Sequence, residues 1–108
     1  NDAQEVEAMR LAYLKRRDYV VKRVNAIENL DCFVPPAGMF VMLNGSRICN
    51  SGDEFATLLL EEAGVSTIPG SGFGPSARDY VRLSLTVSLD DLARAFDRIE
   101  AMSQATDL

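Results

Sequence analysis

From Asp2 to Glu28 the chain contains neither glycine nor proline, and apolar side chains recur at Val6, Met9, Tyr13, Val20, Val24 and Ile27, three, four or seven residues apart. That spacing puts one apolar stripe along an α-helix. With a rise of about 1.5 Å per residue the helix would be ~40 Å long, whereas a domain of this size has a radius of gyration of about 13 Å. Part of the helix must therefore protrude, or pack on something outside this chain. The whole is 108 residues, 47% hydrophobic and 25% charged, ordinary for a single soluble domain. Such a domain buries roughly 65% of its unfolded surface, enough for one core that is marginal alone or leans on a partner.

The helix has to stop before Asn29–Asp31, because the following DCFVPPAGMF carries a Pro-Pro pair and a glycine that halt helical propagation. Residues 39–43 form a short continuous apolar run ending at Asn44-Gly45, which reads as a buried strand closed by a turn. Ser51 with Glu54 is a capping box opening a helix through Phe55, Leu58, Leu59 and Glu62, and Gly64 stands where a helix-ending glycine belongs. Val65–Ile68 reads as a β-branched strand ending at Pro69. Tyr80–Thr86 alternates Val81, Leu83 and Leu85 with Arg82, Ser84 and Thr86, the mark of a strand with one buried face. Ser88 and Asp91 open a last helix whose Leu89, Leu92, Phe96 and Ile99 carry it to about Met102.

This order predicts an α+β fold: a small mixed or antiparallel sheet with helices on one face, preceded by a long N-terminal helix. Residues 1–108 read as a single domain, with a connecting helix at 1–28, a core at 29–102 and a frayed tail at 103–108.

The net charge is −5, and it is uneven: residues 1–28 carry six basic against five acidic side chains, residues 29–108 five against eleven. An acidic chain makes a poor nucleic-acid partner. No run of 18 apolar residues and no signal-like segment is present, which predicts a cytoplasmic protein without membrane contact. The chain has no histidine, so Ser-His-Asp and Cys-His catalysis and histidine-dependent metal motifs are excluded within it. Cys32 and Cys49 lack the spacing of a redox or metal pair, and no metal is expected.

IPGSGFGP, starting at Ile68, invites comparison with a phosphate loop. Gly70 and Gly72 fit the first two places of a dinucleotide fingerprint, but Pro75 occupies the third and a strand follows. A turn with glycines for close approach is the better reading. Arg82 lies on the strand face opposite Val81, Leu83 and Leu85; by alternation alone it belongs to a solvated face. Its planar fork would gain meaning if a carboxylate had to be held. The basic segment Leu14–Arg23 surrounds its helix and is interrupted by Asp18, as in a solvated or ion-paired face. Asp53-Glu54 and Asp90-Asp91 sit in first helical turns, where they complement the macrodipole.

Taken together, VSTIPGSGFGPSARDYVRLSLTVSLDDLARAFDRI, from Val65 to Ile99, resembles the C-terminal end of class I, fold-type I pyridoxal-phosphate aminotransferases, with their PGxxFG turn, [YF][VI]R[LI]S strand and final helix. Upstream, Tyr13 with Arg16-Arg17-Asp18 resembles the family's Y-x-x-RRD helix, and Pro36-Ala37-Gly38-Met39-Phe40 its entry to the first small-domain strand. The likeness runs in register from about residue 6 to 102 and is nearest to the aspartate aminotransferase branch.

The resemblance implies that Arg82 binds the α-carboxylate of the amino-acid substrate and that Phe73 lines the substrate entrance. It implies pyridoxal phosphate as cofactor of the full-length parent, a homodimer exchanging an amino group between an amino acid and a 2-oxo acid. The family's catalytic lysine and cofactor-holding groups lie upstream in a large domain. Lys15 and Lys22, the only lysines here, fall outside that motif. The chain is thus expected to be a small domain that packs on its parent's large domain, with no catalytic or cofactor-binding residue of its own, inactive alone. A stand-alone small-molecule-binding or dimerisation module is the alternative.

Overall fold

The computed structural model describes residues 2–36 and 38–106. Ala37 of the PPAGMF segment and Asp107 and Leu108 of the expected tail lie outside the described residues.

Helix α1 spans Asp2–Asn25, with Asp2 and Glu5 in its first turn and Lys22 and Arg23 in its last, the polarity its dipole favours. Only the C-terminal half of its apolar stripe reaches the core. Val20 and Val24 are completely buried and Ile27 follows them inward, but every residue from 2 to 11 is exposed. The molecule is accordingly elongated, 51 × 30 × 21 Å. The length mismatch predicted from sequence is resolved by protrusion.

Four strands, β1 (Asp31–Phe33), β2 (Phe40–Asn44), β3 (Ile68–Pro69) and β4 (Tyr80–Ser84), form one antiparallel sheet in the order β1-β2-β4-β3. Along β2 and β4 burial alternates strictly, with Val41, Leu43, Val81 and Leu83 inward. Against that inner face pack α2 (Gly52–Leu58) and α3 (Leu89–Thr106), contributing Phe55, Leu92, Phe96 and Ile99. Each such fully buried apolar side chain contributes about 1.5–3 kcal/mol.

Both capping serines act as the sequence predicts: Ser51 Oγ accepts from the Glu54 amide and Ser88 Oγ from the Asp91 amide, each at 3.2 Å. Past Leu58, α2 widens into a π-turn, Leu59–Ala63, and ends at Gly64 in the left-handed conformation, φ 68°. Gly45, after β2, is demanded by packing, since a β-carbon there would stand within 2.8 Å of the Phe55 ring.

Several boundaries differ from the sequence reading. Strand β1 was not foreseen; it is three residues long and lies beside the Pro-Pro breaker, too short for an alternation to register. The strand expected over Val65–Ile68 shrinks to Ile68–Pro69, because the Val65 amide is already donated to the Leu59 carbonyl at 3.1 Å and Val65 turns into the core. Pro69 is tolerated because β3 is a sheet edge. The 39–43 run is not buried throughout, as only Val41 and Leu43 face inward. Helix α3 runs past the expected end near Met102, to Thr106. Ser103, four residues beyond Ile99 on the same stripe, is buried, and as a polar residue it gave no hydrophobic signal.

Candidate functional site

Because the inner face of the sheet is consumed by the core, whatever chemistry the sheet offers lies on its outer face. Pairing runs Phe33↔Met42, Met42↔Arg82 and Ile68↔Arg82, so these four side chains form a row across all four strands on that face. Phe40, two residues before Met42, shares it. Arg82 is half-buried. Its Cζ lies 5.1 Å from the Phe40 ring centroid and 5.6 Å from that of Phe73. Among the described residues the guanidinium makes no hydrogen bond and no ion pair, and the two rings flank it. Phe33, Ile68 and Phe73 remain about half exposed. A cation thus stands within an open row of apolar side chains, on a face that also carries the polar Asp31, Asn44, Tyr80 and Ser84.

Phe73 reaches this surface from a 3₁₀ turn, Gly70–Phe73, whose first residue is packed against backbone. A β-carbon on Gly70 would overlap the Ala77 carbonyl oxygen and stand 2.8 Å from that of Tyr80. Gly52, at the start of α2, donates its amide to the Arg78 carbonyl at 2.7 Å, and a β-carbon there would overlap the Tyr80 carbonyl oxygen. Ser71 Oγ donates to Asp53 Oδ1 at 2.9 Å. Gly74 then takes φ 120°, ψ 169°, a conformation open to glycine and to few other residues. The loop is a packed turn that delivers one phenyl ring. With carbonyl oxygens crowding Gly70, and a second 3₁₀ turn, Pro75–Ala77, where a helix would have to begin, it is not a phosphate cradle.

The other charged groups serve the scaffold. Arg16 donates to the Leu85 carbonyl at 2.9 Å. Arg23 donates to Asp97 at 2.8 Å, Glu100 at 3.3 Å and Tyr19 at 2.8 Å, tying α1 to α3. Burial opposes the Arg23 charge, but the hydrogen bonds to Asp97 and Tyr19 outweigh it and push its pKa up. The basic segment is therefore partly ion-paired, through Arg17 and Arg23, and partly solvated, at Lys15 and Lys22. Burial, and then the neighbouring carboxylates of Asp31 and Glu54, push the Cys32 and Cys49 thiols up. That shift lowers the thiolate fraction at neutral pH and makes both weaker nucleophiles than a free cysteine. Among the described residues no cluster suits a metal ion, and no helix is long and apolar enough to cross a membrane.

Of the residues singled out from sequence, Arg82 and Phe73 are brought together on the outer face. Phe40 was missed as a site residue. The signal was present: Phe40 and Met42 alternate with the buried Val41 and Leu43, so they must share the face of the residues paired with them.

The sequence profile of "Aminotransferase class I and II" matches residues 1–99. The LL-diaminopimelate aminotransferase of Maridesulfovibrio salexigens is 41% identical over 97 residues, covering 90% of this chain and 24% of that protein. The aspartate aminotransferase of Geobacillus stearothermophilus is 40% identical over 108 residues, covering 94% of this chain and 27% of its own length. Among solved structures, the aromatic aminotransferase from Pyrococcus horikoshii superimposes with a TM-score of 0.85 at 31% identity, over 96% of this chain and 28% of that one. The chain spans about a quarter of the length of the curated relatives it matches.

Proposed function

The chain belongs to the class I and II aminotransferase family, and from that premise we propose that it is the C-terminal small domain of a pyridoxal-phosphate-dependent aminotransferase, in which Arg82 binds the α-carboxylate of the substrate. The enzyme would move an amino group between an amino acid and a 2-oxo acid and act as a homodimer.

One observation carries the reading: a half-buried guanidinium with no internal anionic partner among the described residues, set between two phenyl rings on the open face of the sheet. Such a group is poised for an external carboxylate, because its fork offers two parallel N–H donors in one plane. Two such bonds fix both the position and the rotation of the carboxylate, and so orient the substrate's Cα. Covered by a large domain, the neighbouring Ile68 and Phe73 would help to keep water from the pair and so strengthen it.

The residues present do not fit the cofactor itself. Pyridoxal phosphate needs a lysine amine together with groups for its phosphate and ring nitrogen. Lys15 and Lys22 are exposed on α1, and the chain has no other lysine. The reading therefore places the cofactor site outside these residues, in a large domain against which this chain would pack. The exposed Val6, Met9 and Met39 beside an apolar groove of about 360 Å³ suit such a contact, which would cover the protruding half of α1.

In the full-length protein, Arg82→Gln is expected to raise KM for the amino acid and lower kcat, reducing kcat/KM by roughly a hundredfold or more, as for loss of a desolvated charged hydrogen-bond pair. Unchanged kinetics would refute the assignment. For the chain alone, incubation with pyridoxal phosphate followed by borohydride should leave Lys15 and Lys22 without a specific label.

A further inference from the structure

We propose that Phe40 and Phe73 are positioning residues for Arg82, holding its guanidinium ready for a carboxylate, and that the glycine-rich turn exists to place Phe73 there; this rests on the carboxylate-binding reading above.

The two rings come from different parts of the chain. Phe40 begins β2, one residue past the Gly38-Met39 entry, and Phe73 ends the 3₁₀ turn, yet both centroids lie within 5.6 Å of the same Cζ. An arginine side chain has many rotamers, and ordering it on binding carries an entropic cost that a pre-positioned one avoids. Here no hydrogen bond among the described residues restrains it, which leaves the two rings, together with the paired Met42 and Ile68, as its restraint. A phenyl face attracts the cation without accepting hydrogen bonds as an oxygen would, so the N–H donors stay available to a carboxylate. A carboxylate from the chain in the same place would have fixed the arginine equally well while occupying those donors.

Phe73 could not stand there by chance of a loose loop. Gly70 is seated against the Ala77 and Tyr80 carbonyls, and the Ser71–Asp53 hydrogen bond ties the turn to the start of α2. By contrast, a β-carbon at Gly72 would meet nothing within 4 Å. The turn is anchored at its base and free at its tip, and the ring it carries is half exposed, where it can contact both arginine and ligand.

The test is competitive inhibition of the full-length enzyme by propionate, with propionamide as the uncharged control, in Phe40→Leu, Phe73→Leu, the double variant, Phe73→Tyr and Arg82→Gln. Leucine keeps apolar bulk and removes the ring face. A cation–π contact of this exposure corresponds to about a two- to fivefold change in binding. Each leucine variant should weaken propionate by about that factor and the double variant by more than either alone, the two rings being coupled through one guanidinium, with Phe73→Tyr near wild type and propionamide unmoved. Because Phe73 is half exposed, its leucine variant is not expected to disturb folding. If Arg82→Gln weakens propionate while both leucine variants leave it unchanged, the positioning role is wrong and the carboxylate site stands. Equal weakening of propionamide also overturns it, since the rings would then be a plain apolar lining. If Arg82→Gln leaves propionate binding intact, the carboxylate reading itself fails.

Discussion

Two glycines of the same turn, Gly70 and Gly72, should respond to alanine with opposite signs. Neither has a positive φ, so backbone conformation does not separate them; the surroundings of the new β-carbon do. At Gly70 it would overlap one backbone carbonyl oxygen and stand 2.8 Å from a second, against the ~3.5 Å at which heavy atoms pack comfortably. Both obstacles are backbone, belonging to the loop's return and to the first residue of β4, so neither can swing aside as a side chain would. Overpacking of this kind costs about 1–3 kcal/mol, and the fixed obstacles argue for the upper end. At Gly72 the methyl group meets nothing within 4 Å, and loss of unfolded-state freedom should stabilise by roughly 0.4–1 kcal/mol. For a domain of this size 1 kcal/mol moves the melting midpoint by about 4–8 °C. Thermal unfolding of the 108-residue chain, followed by far-ultraviolet circular dichroism, should therefore show Gly70→Ala falling by roughly 10 °C or more and Gly72→Ala level or a few degrees higher. Gly70→Ala melting with the wild type, or both variants falling together, would refute the packed-turn account.

Deleting residues 2–10 should change stability by less than about 1 kcal/mol, because every one of them is exposed and surface changes are small; a urea midpoint shifted well beyond that would mean α1 folds back on the core. With both thiols pushed up by burial and by neighbouring carboxylates, iodoacetamide should label Cys32 and Cys49 more slowly than free glutathione at pH 7.5, with the rate rising as pH climbs toward the raised values. Labelling as fast as glutathione would contradict that environment.

Much of the scaffold was legible in the sequence because it is written in local chemistry. Ser51 with Glu54 and Ser88 with Asp91 announce helix starts through a single side-chain hydrogen bond each, and Gly64 announces a helix end. The alternation in Tyr80–Ser84 placed Arg82 on the outer face before any tertiary contact was known. What stayed hidden depends on partners far along the chain. Strand β1 exists because Asp31–Phe33 finds β2, the Val65 amide leaves the sheet because Leu59 claims it, and Ser103 is buried by packing that its own polarity does not advertise. The site divides the same way. Arg82 and Phe73 stood out by type and motif, but Phe40 joins the candidate site only once the β2–β4 register sets its face beside the guanidinium.

The central claim, that Arg82 grips the substrate's α-carboxylate, is tested most directly by pairing a change in the protein with a change in the substrate. Measured in the full-length enzyme, kcat/KM for the amino-acid substrate and for its α-carboxamide should differ widely in the wild type. In Arg82→Gln the carboxylate substrate should lose roughly a hundredfold or more while the amide loses little, collapsing that preference. An equal loss for both substrates would show that Arg82 acts elsewhere than on the carboxylate.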